Sequence, residues 1–183
     1  MIKKAGRDIK VVNIVVSTAL EHDIPLEKMA ATLSNTEYNP EQFPGLVIRI
    51  KEPKTSALIF SSGKVVCTGA RTLKEVKESI QKIIKSLLKI NIKITIEPKI
   101  NIQNIVASGS VGMDLNLNTL AMKLNNTEYE PEQFPGLVYK LAEAKATFLL
   151  FSNGKIVCTG IKSEEEVYIA LDKLIANLKK VKA

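Results

Sequence analysis

The sequence is poor in the side chains that build metal centres and catalytic triads. Among 183 residues there are one histidine, two cysteines and no tryptophan. A structural zinc site needs four ligands, most often Cys and His, and a hydrolase triad needs a base beside its nucleophile. His22 is the only histidine, and no arrangement around it supports either role. We therefore expect no metal, no cofactor, no catalytic residue and no enzymatic activity.

Long apolar runs are also missing. The longest, such as residues 57–60, fall far short of the roughly 18 residues that a membrane span needs. The basic first residues are not followed by the apolar stretch of a signal peptide. We expect no membrane association and a cytoplasmic, nucleoid-associated location. Cys67 and Cys158 lie within apolar segments, which is typical of buried free thiols.

Acidic residues are outnumbered by basic ones. The chain has 26 Lys and Arg against 19 Asp and Glu, a formal net charge of +7. Its apolar content of 45% and charged content of 25% are those of an ordinary globular protein. The excess of positive charge favours a polyanionic partner.

The chain contains a direct duplication without gaps. Residues 13–89 align with residues 104–180 at a constant offset, and about 37 of these positions are identical. The clearest matches are residues 35–38 with 126–129, 40–47 with 131–138 and 63–69 with 154–160. We therefore expect two repeats of one fold, residues 1–92 and 93–183.

Within one repeat the pattern predicts a strand, a short helix, three strands and a long helix. The first strand is expected over 11–18, the helix over 25–34 and the other strands over 45–51, 55–61 and 64–70. Capping boxes at 72–75 and 163–166 open the long helices. Ser62-Gly63 and Asn153-Gly154 predict two-residue hairpins, and the alternation over 91–102 predicts a strand that joins the repeats. The expected fold class is α+β with an antiparallel sheet.

Two helices per repeat can cover one face of an antiparallel sheet, so the other face should be polar. The strands do not alternate in that way. Side chains alternate between the two faces of a strand. This alternation predicts one apolar face that the helices cover and a second face that is apolar in its middle. In the first repeat this second face carries Asn13, Val15, Val47, Arg49, Leu58, Phe60, Lys64, Val66 and Thr68, with Phe43 at the strand entrance. In the second repeat it carries Asn104, Val106, Val138, Lys140, Leu149, Phe151, Lys155, Val157 and Thr159, with Phe134.

An uncovered apolar surface of this size indicates an interaction site. Burial against a second subunit or inside a closed barrel is the structural alternative. Basic side chains in register in both repeats favour an interaction site, because a dimer core would gain nothing from them. They are Arg49, Lys64, Arg71, Lys140, Lys155 and Lys162. A partner that is apolar along its middle and negative along both edges is the minor groove of duplex DNA.

These motifs resemble the TATA-box-binding protein family in its archaeal-type form. The resemblance covers about residues 10–180 and rests on the Asn-Ile-Val opening of each repeat, on residues 42–47 and 133–138, on the hairpin at 57–69 and on the duplication. It implies a saddle: a curved antiparallel sheet with a concave DNA-binding face and four helices on the convex face. The family is itself a standard example of minor-groove kinking.

The resemblance also implies roles for individual residues. The intercalating phenylalanines correspond to Phe43, Phe60, Phe134 and Phe151, whereas the parity of Phe148 places it in the core. Minor-groove base contacts correspond to Asn13, Asn104, Thr68, Thr159, Val15, Val66, Val106, Val157, Leu58 and Leu149. The basic residues at the edges would contact phosphates. Glu130 and Glu132 correspond to the contact for transcription factor B.

The expected function is therefore that of a general transcription initiation factor, monomeric on DNA. It would bind and bend A·T-rich TATA-box promoter DNA and recruit a B-type transcription factor and RNA polymerase. Two alternatives are a saddle-type accessory module that binds other nucleic acids and a carrier of apolar ligands. The basic residues at the sheet edges argue against the carrier, because an apolar ligand would not need them.

Overall fold

A computed structural model describes residues 8–182 of the chain. These residues form two compact units. The first unit comprises residues 13–103, and the second comprises residues 104–182 together with residues 8–12. The two units repeat the same order of elements, as the duplication predicts.

Within the described residues each unit contains five strands and two α-helices. This is one strand more than predicted, because a two-residue strand after each short helix is too short to show a periodic pattern. The chain begins with β1 (Asp8–Ala19), α1 (Leu26–Thr32), β2 (Thr36–Glu37), β3 (Leu46–Ile50), β4 (Thr55–Ile59), β5 (Lys64–Ala70) and α2 (Leu73–Leu87). It continues with β6 (Asn101–Ser110), α3 (Leu117–Lys123), β7 (Thr127–Glu128), β8 (Leu137–Leu141), β9 (Ala146–Leu150), β10 (Lys155–Ile161) and α4 (Glu164–Lys182).

The strands are antiparallel. Their order is β2-β3-β4-β5-β1 in the first unit and β6-β10-β9-β8-β7 in the second. Strands and helices follow one another in the way that defines the α+β class. The predicted fold class is therefore confirmed in its duplication, its antiparallel strands and its two helices per repeat.

The helices cover one face of the strands in each unit, and the core lies beneath them. The predicted inward residues of the first unit, among them Ile14, Ile48 and Ile59, are at most 2% exposed. Val76 and Ile83 of α2 are fully buried above them. Side-chain parity alone thus separated the core from the other face.

The two cysteines are buried free thiols, as their apolar surroundings predicted. Burial disfavours the charged thiolate. Burial raises the pKa of Cys67 to about 11, although a hydrogen bond with Ser79 lowers that pKa by a smaller amount. Burial raises the pKa of Cys158 to about 12. Both thiols therefore stay protonated and unreactive at neutral pH.

Both long helices begin at the predicted capping residues. The Glu75 N–H donates to Thr72 Oγ1 at 3.1 Å, and the Glu166 N–H donates to Ser163 Oγ at 3.2 Å. The glutamates reach back one residue further than in a standard capping box, because Glu75 Oε2 accepts from the Arg71 N–H at 2.8 Å. These caps fix where each long helix leaves the preceding strand.

The predicted two-residue hairpins are wrong by one residue. The Phe60 N–H donates to Lys64 O at 2.9 Å, and the Gly63 N–H donates to Phe60 O at 2.9 Å. The loop therefore has three residues, Ser61 to Gly63, and residues 152–154 form the same loop in the second unit. A three-residue loop built on a turn and a glycine is the next commonest hairpin connection.

The strand predicted over residues 91–102 is also wrong for most of its length. A 3₁₀ turn at Leu88–Ile90 ends at Asn91 in the left-handed conformation, and strand β6 starts only at Asn101. Ile90 and Ile92 are buried, so the alternation reflects side-chain packing without a hydrogen-bonded ladder. Pro98 has no N–H to contribute to such a ladder.

Candidate nucleic-acid interface

The face of each unit that the helices leave uncovered, called here the open face, carries a row of apolar side chains. In the first unit Val47 pairs with Leu58, and Leu58 pairs with Val66. In the second unit Val138, Leu149 and Val157 form the same row. All six side chains are partly exposed, as are Val15 and Val106. The predicted second face therefore exists, and its middle is apolar.

A pair of phenylalanines lies beside each row, and one ring of each pair follows the leucine of that row by two residues along the chain. The ring centroids of Phe43 and Phe60 are 5.9 Å apart with an interplanar angle of 67°, and those of Phe134 and Phe151 are 6.0 Å apart at 71°. Edge-to-face contact holds the rings of each pair in a defined arrangement. Phe43 and Phe134 are each 43% exposed.

A glycine makes room for each pair of rings. A Cβ atom on Gly45 would lie 2.7 Å from Phe43 Cε1 and 3.2 Å from Phe60 Cε1. On Gly136 the corresponding distances to Phe134 and Phe151 are 2.7 Å and 3.1 Å. Any side chain at these glycines would displace the rings.

Asparagine and threonine meet on the open face of each unit. Asn13 Nδ2 donates to Thr68 Oγ1 at 3.1 Å, and Asn104 Nδ2 donates to Thr159 Oγ1 at 3.0 Å. The sequence predicted all four residues on this face, from two different strands of each unit. The structure brings each pair into direct contact.

The basic residues predicted at the edges of the face are all exposed. They are Arg49, Lys64, Arg71, Lys140, Lys155 and Lys162. Arg49 Nη1 lies 3.1 Å from Glu37 Oε2, and both side chains are more than 60% exposed. An ion pair so exposed contributes little stability, so the guanidinium can exchange this partner for another anion.

Glu130 and Glu132 lie in the exposed loop that leads to Phe134. The Gln133 and Phe134 N–H groups both donate to Glu130 O at 3.0 Å, which shapes this loop as a turn. Both glutamate side chains are exposed and point away from the core. They are therefore accessible to a partner.

The rest of residues 8–182 offers no other kind of site considered for this sequence. That range holds no group of three or more His, Cys, Asp or Glu side chains that could bind a metal ion. It also holds no helix that is long and apolar enough to cross a membrane. Within residues 8–182, the open face is the surface that combines apolar rows, paired rings and basic edges.

Sequence reasoning missed two glycines on this face. The Gly69 N–H donates to Asn13 Oδ1 at 2.7 Å, and the Gly160 N–H donates to Asn104 Oδ1 at 2.8 Å. Both glycines interrupt a strand, and a glycine inside a strand often marks a bulge. That signal was present in the sequence at Thr68-Gly69 and Thr159-Gly160.

A duplicated α+β fold with an exposed apolar face and basic edges defines a class of nucleic-acid-binding proteins, and comparison with known proteins identifies the family. The family model described as transcription factor TFIID, or TATA-binding protein, matches residues 8–90 and 99–181. The chain therefore belongs to the TATA-box-binding protein family.

Individual relatives agree with this assignment. The chain is 47% identical over 180 residues to the TATA-box-binding protein of Thermococcus kodakarensis, covering 98% of this chain and 95% of the relative. It is 51% identical over 174 residues to that of Methanocaldococcus jannaschii, covering 95% of each. The solved structure of Methanococcus jannaschii TBP matches with a TM-score of 0.89 at 50% identity, covering 94% of this chain and 99% of that one. The predicted resemblance is confirmed.

The contrast between two phenylalanines of the second unit tests the division into core and open face. Phe148 is completely buried and Phe134 is 43% exposed. Phe148→Ala should lower the free energy of unfolding by about 3–5 kcal/mol. Phe134→Ala should lower it by about 1 kcal/mol, since it loses mainly an edge contact with one ring. Urea denaturation measures both, and equal losses would contradict the assignment of faces.

Proposed function

We propose that this protein is a general transcription initiation factor that binds the minor groove of A·T-rich, TATA-box promoter DNA through its open faces. One observation supports this most strongly: the apolar row, the paired phenylalanines and the Asn–Thr contact occur together in both units. The names of the relatives agree with this partner. The protein acts without catalysis, as a monomer on DNA in the nucleoid.

The chemistry of the open face suits A·T base pairs. The amides of Asn13 and Asn104 and the hydroxyls of Thr68 and Thr159 can donate to adenine N3 and thymine O2 on the groove floor. Valine and leucine side chains in the apolar rows offer no acceptor to the guanine amino group. A·T pairs are thus selected both by attraction and by exclusion of G·C.

The phenylalanine pairs act as wedges that bend the duplex. Each pair lies beside an apolar row and includes one ring that is 43% exposed. Apolar side chains inserted between base steps unstack them and kink DNA towards the major groove. Gly45 and Gly136 allow the rings of each pair to meet before DNA arrives, which lowers the entropy cost of insertion.

Recruitment of a B-type transcription factor is assigned to the loop of Glu130 and Glu132. The corresponding loop of the first unit has Asn39 in place of Glu130. The long helices differ as well, because Lys74 and Lys77 of α2 correspond to Glu165 and Tyr168 of α4. The open faces are nearly identical, so these differences orient the complex on DNA and position RNA polymerase.

A binding and bending assay tests the function. The protein should bind an A·T-rich duplex in preference to a G·C-rich one of equal length in a gel-shift titration. Dyes at the two duplex ends should report a bend by energy transfer. Phe134→Ala should reduce the bend while melting close to the unmodified protein, because its ring is exposed. Equal affinity for both duplexes, or an undiminished bend in Phe134→Ala, would contradict the proposal.

The basic edges make a separate prediction about salt. Replacing Lys64 or Lys155 with Ala should weaken binding to all duplexes and reduce the slope of log K against log salt by roughly one unit. Lys74→Ala on α2 serves as the matched control, since that lysine lies on the helix side of the first unit. A changed sequence preference with an unchanged slope would show that the edge lysine reads bases instead.

The acidic loop can be tested without disturbing DNA binding. Glu130→Lys combined with Glu132→Lys should abolish recruitment of the B-type factor to a protein–DNA complex, because the charge presented to the factor is reversed. Affinity for DNA alone should fall less than two-fold or rise slightly with the added positive charge. Asn39→Lys combined with Glu41→Lys, at the equivalent positions of the first unit, is the control. Normal recruitment by the Glu130 and Glu132 variant would contradict the assignment.

A further inference from the structure

A bulge interrupts the same strand position in both units. In the first unit Ile14 pairs with Ala70 and Val16 pairs with Cys67, so β5 has one residue more than β1 across this interval. In the second unit β10 carries the extra residue between Cys158 and Ile161. The residue at each bulge with a positive φ is a glycine, Gly69 at 100° and Gly160 at 89°.

The bulge releases one backbone N–H from the ladder, and the neighbouring asparagine accepts it. Asn13 Oδ1 lies 2.7 Å from the Gly69 nitrogen, and Asn104 Oδ1 lies 2.8 Å from the Gly160 nitrogen. Each amide oxygen is therefore turned towards the backbone. The amide nitrogen donates one of its two hydrogens to the threonine hydroxyl, which also lies 3.3 Å from the amide oxygen in each unit.

This arrangement decides which end of the amide is available to a ligand. The oxygen and nitrogen of an asparagine amide have nearly the same shape, so only their hydrogen-bond partners distinguish the two flipped orientations. A flipped Asn13 would place its NH₂ group against the Gly69 N–H, donor against donor. The glycine N–H therefore excludes the flip and leaves the second Nδ2 hydrogen to face outwards.

We infer that Gly69 and Gly160 are positioning residues that set base specificity. Their bulge N–H groups lock the amides of Asn13 and Asn104 so that the open face presents donors. Acceptors on A·T pairs can accept hydrogen bonds from these donors. The amino group of guanine is itself a donor, so it finds no acceptor on the locked amide. An unlocked amide could flip and accept that amino group. The inference rests on the proposed function, because it concerns how the same face reads DNA.

Glycine is needed at these positions for two reasons. L-residues rarely adopt φ values near 100°. A Cβ on Gly69 would also lie 3.0 Å from Lys54 O and 3.2 Å from Thr55 Cα, and one on Gly160 would lie 3.2 Å from Lys145 O. A side-chain substitution would thus distort the strand, so the N–H itself must be the group that is changed.

The test replaces the Gly69 amide with an ester, by translation with a glycolic-acid-charged tRNA. The ester lacks the N–H and keeps the shape. The assay measures binding to A·T-rich duplexes in which one base pair at a time is changed to G·C or to I·C. Inosine differs from guanosine only by lacking the amino group, so the two duplexes isolate its effect. The unmodified protein should prefer I·C to G·C. The ester should lower this preference roughly five-fold, which is the free energy of about one hydrogen bond.

The ester at Gly160 is the matched variant and should lower the preference by a similar factor, because the two open faces are nearly identical. Using a ratio of two affinities removes any loss of folded protein from the comparison. An unmodified protein that does not prefer I·C to G·C would contradict the proposed function. A protein that does prefer it, with the preference unchanged in both esters, would overturn the inference and leave the function intact.

Hydrogen exchange of the Gly69 N–H gives a second measurement that needs no ester. The amide should be protected in the unmodified protein, and Asn13→Ala should speed its exchange roughly five-fold or more by removing the acceptor. The Gly160 N–H should be unaffected by that substitution and serves as the control. If Asn13→Ala left the exchange rate of the Gly69 N–H unchanged, the inference that this N–H locks the amide would be wrong.

Discussion

The constraint on which this structure depends is that two helices can cover only one face of a five-stranded antiparallel sheet. Strand side chains alternate between faces, so every buried residue is followed by one that remains outside the core. In this chain the residues outside the core include Val47, Leu58 and Val66. On a sheet face that met only solvent, these positions would be polar. The stable core and the exposed apolar face are therefore built from the same strands, so the packed core limits how far the open face can move.

That rigidity gives the open face its chemical character. The side chains that reach outwards are short or branched, and the rings of Phe43 and Phe60 are held 5.9 Å apart by edge contact. The amide of Asn13 is fixed from behind by a backbone group. Little conformational entropy is left to lose when a ligand binds. Under the proposed function, the duplex rather than the protein would change its shape on binding.

Side-chain parity and the duplication predicted most of the fold, because period and repetition are visible in a single sequence. They separated buried Phe148 from exposed Phe134 correctly. The extra hairpin residue and the unpaired segment over 91–100 were missed, because they depend on backbone hydrogen bonds that periodicity does not encode. The lock on Asn13 was missed for the same reason: Gly69 marks a bulge in the sequence, but only the register shows where its N–H points.

In the proposed complex the open face of each unit, and no other described surface, meets the groove. Methyl NMR of the protein, titrated with an A·T-rich duplex, tests this contact, because valine, leucine and isoleucine methyl groups give signals from both faces of the strands. Large shifts are expected for Val66, Leu58, Val157 and Leu149, with small ones for Ile80 and Ile83 on the buried side of α2. Shifts concentrated along α2 with unchanged methyls on the open face would contradict it.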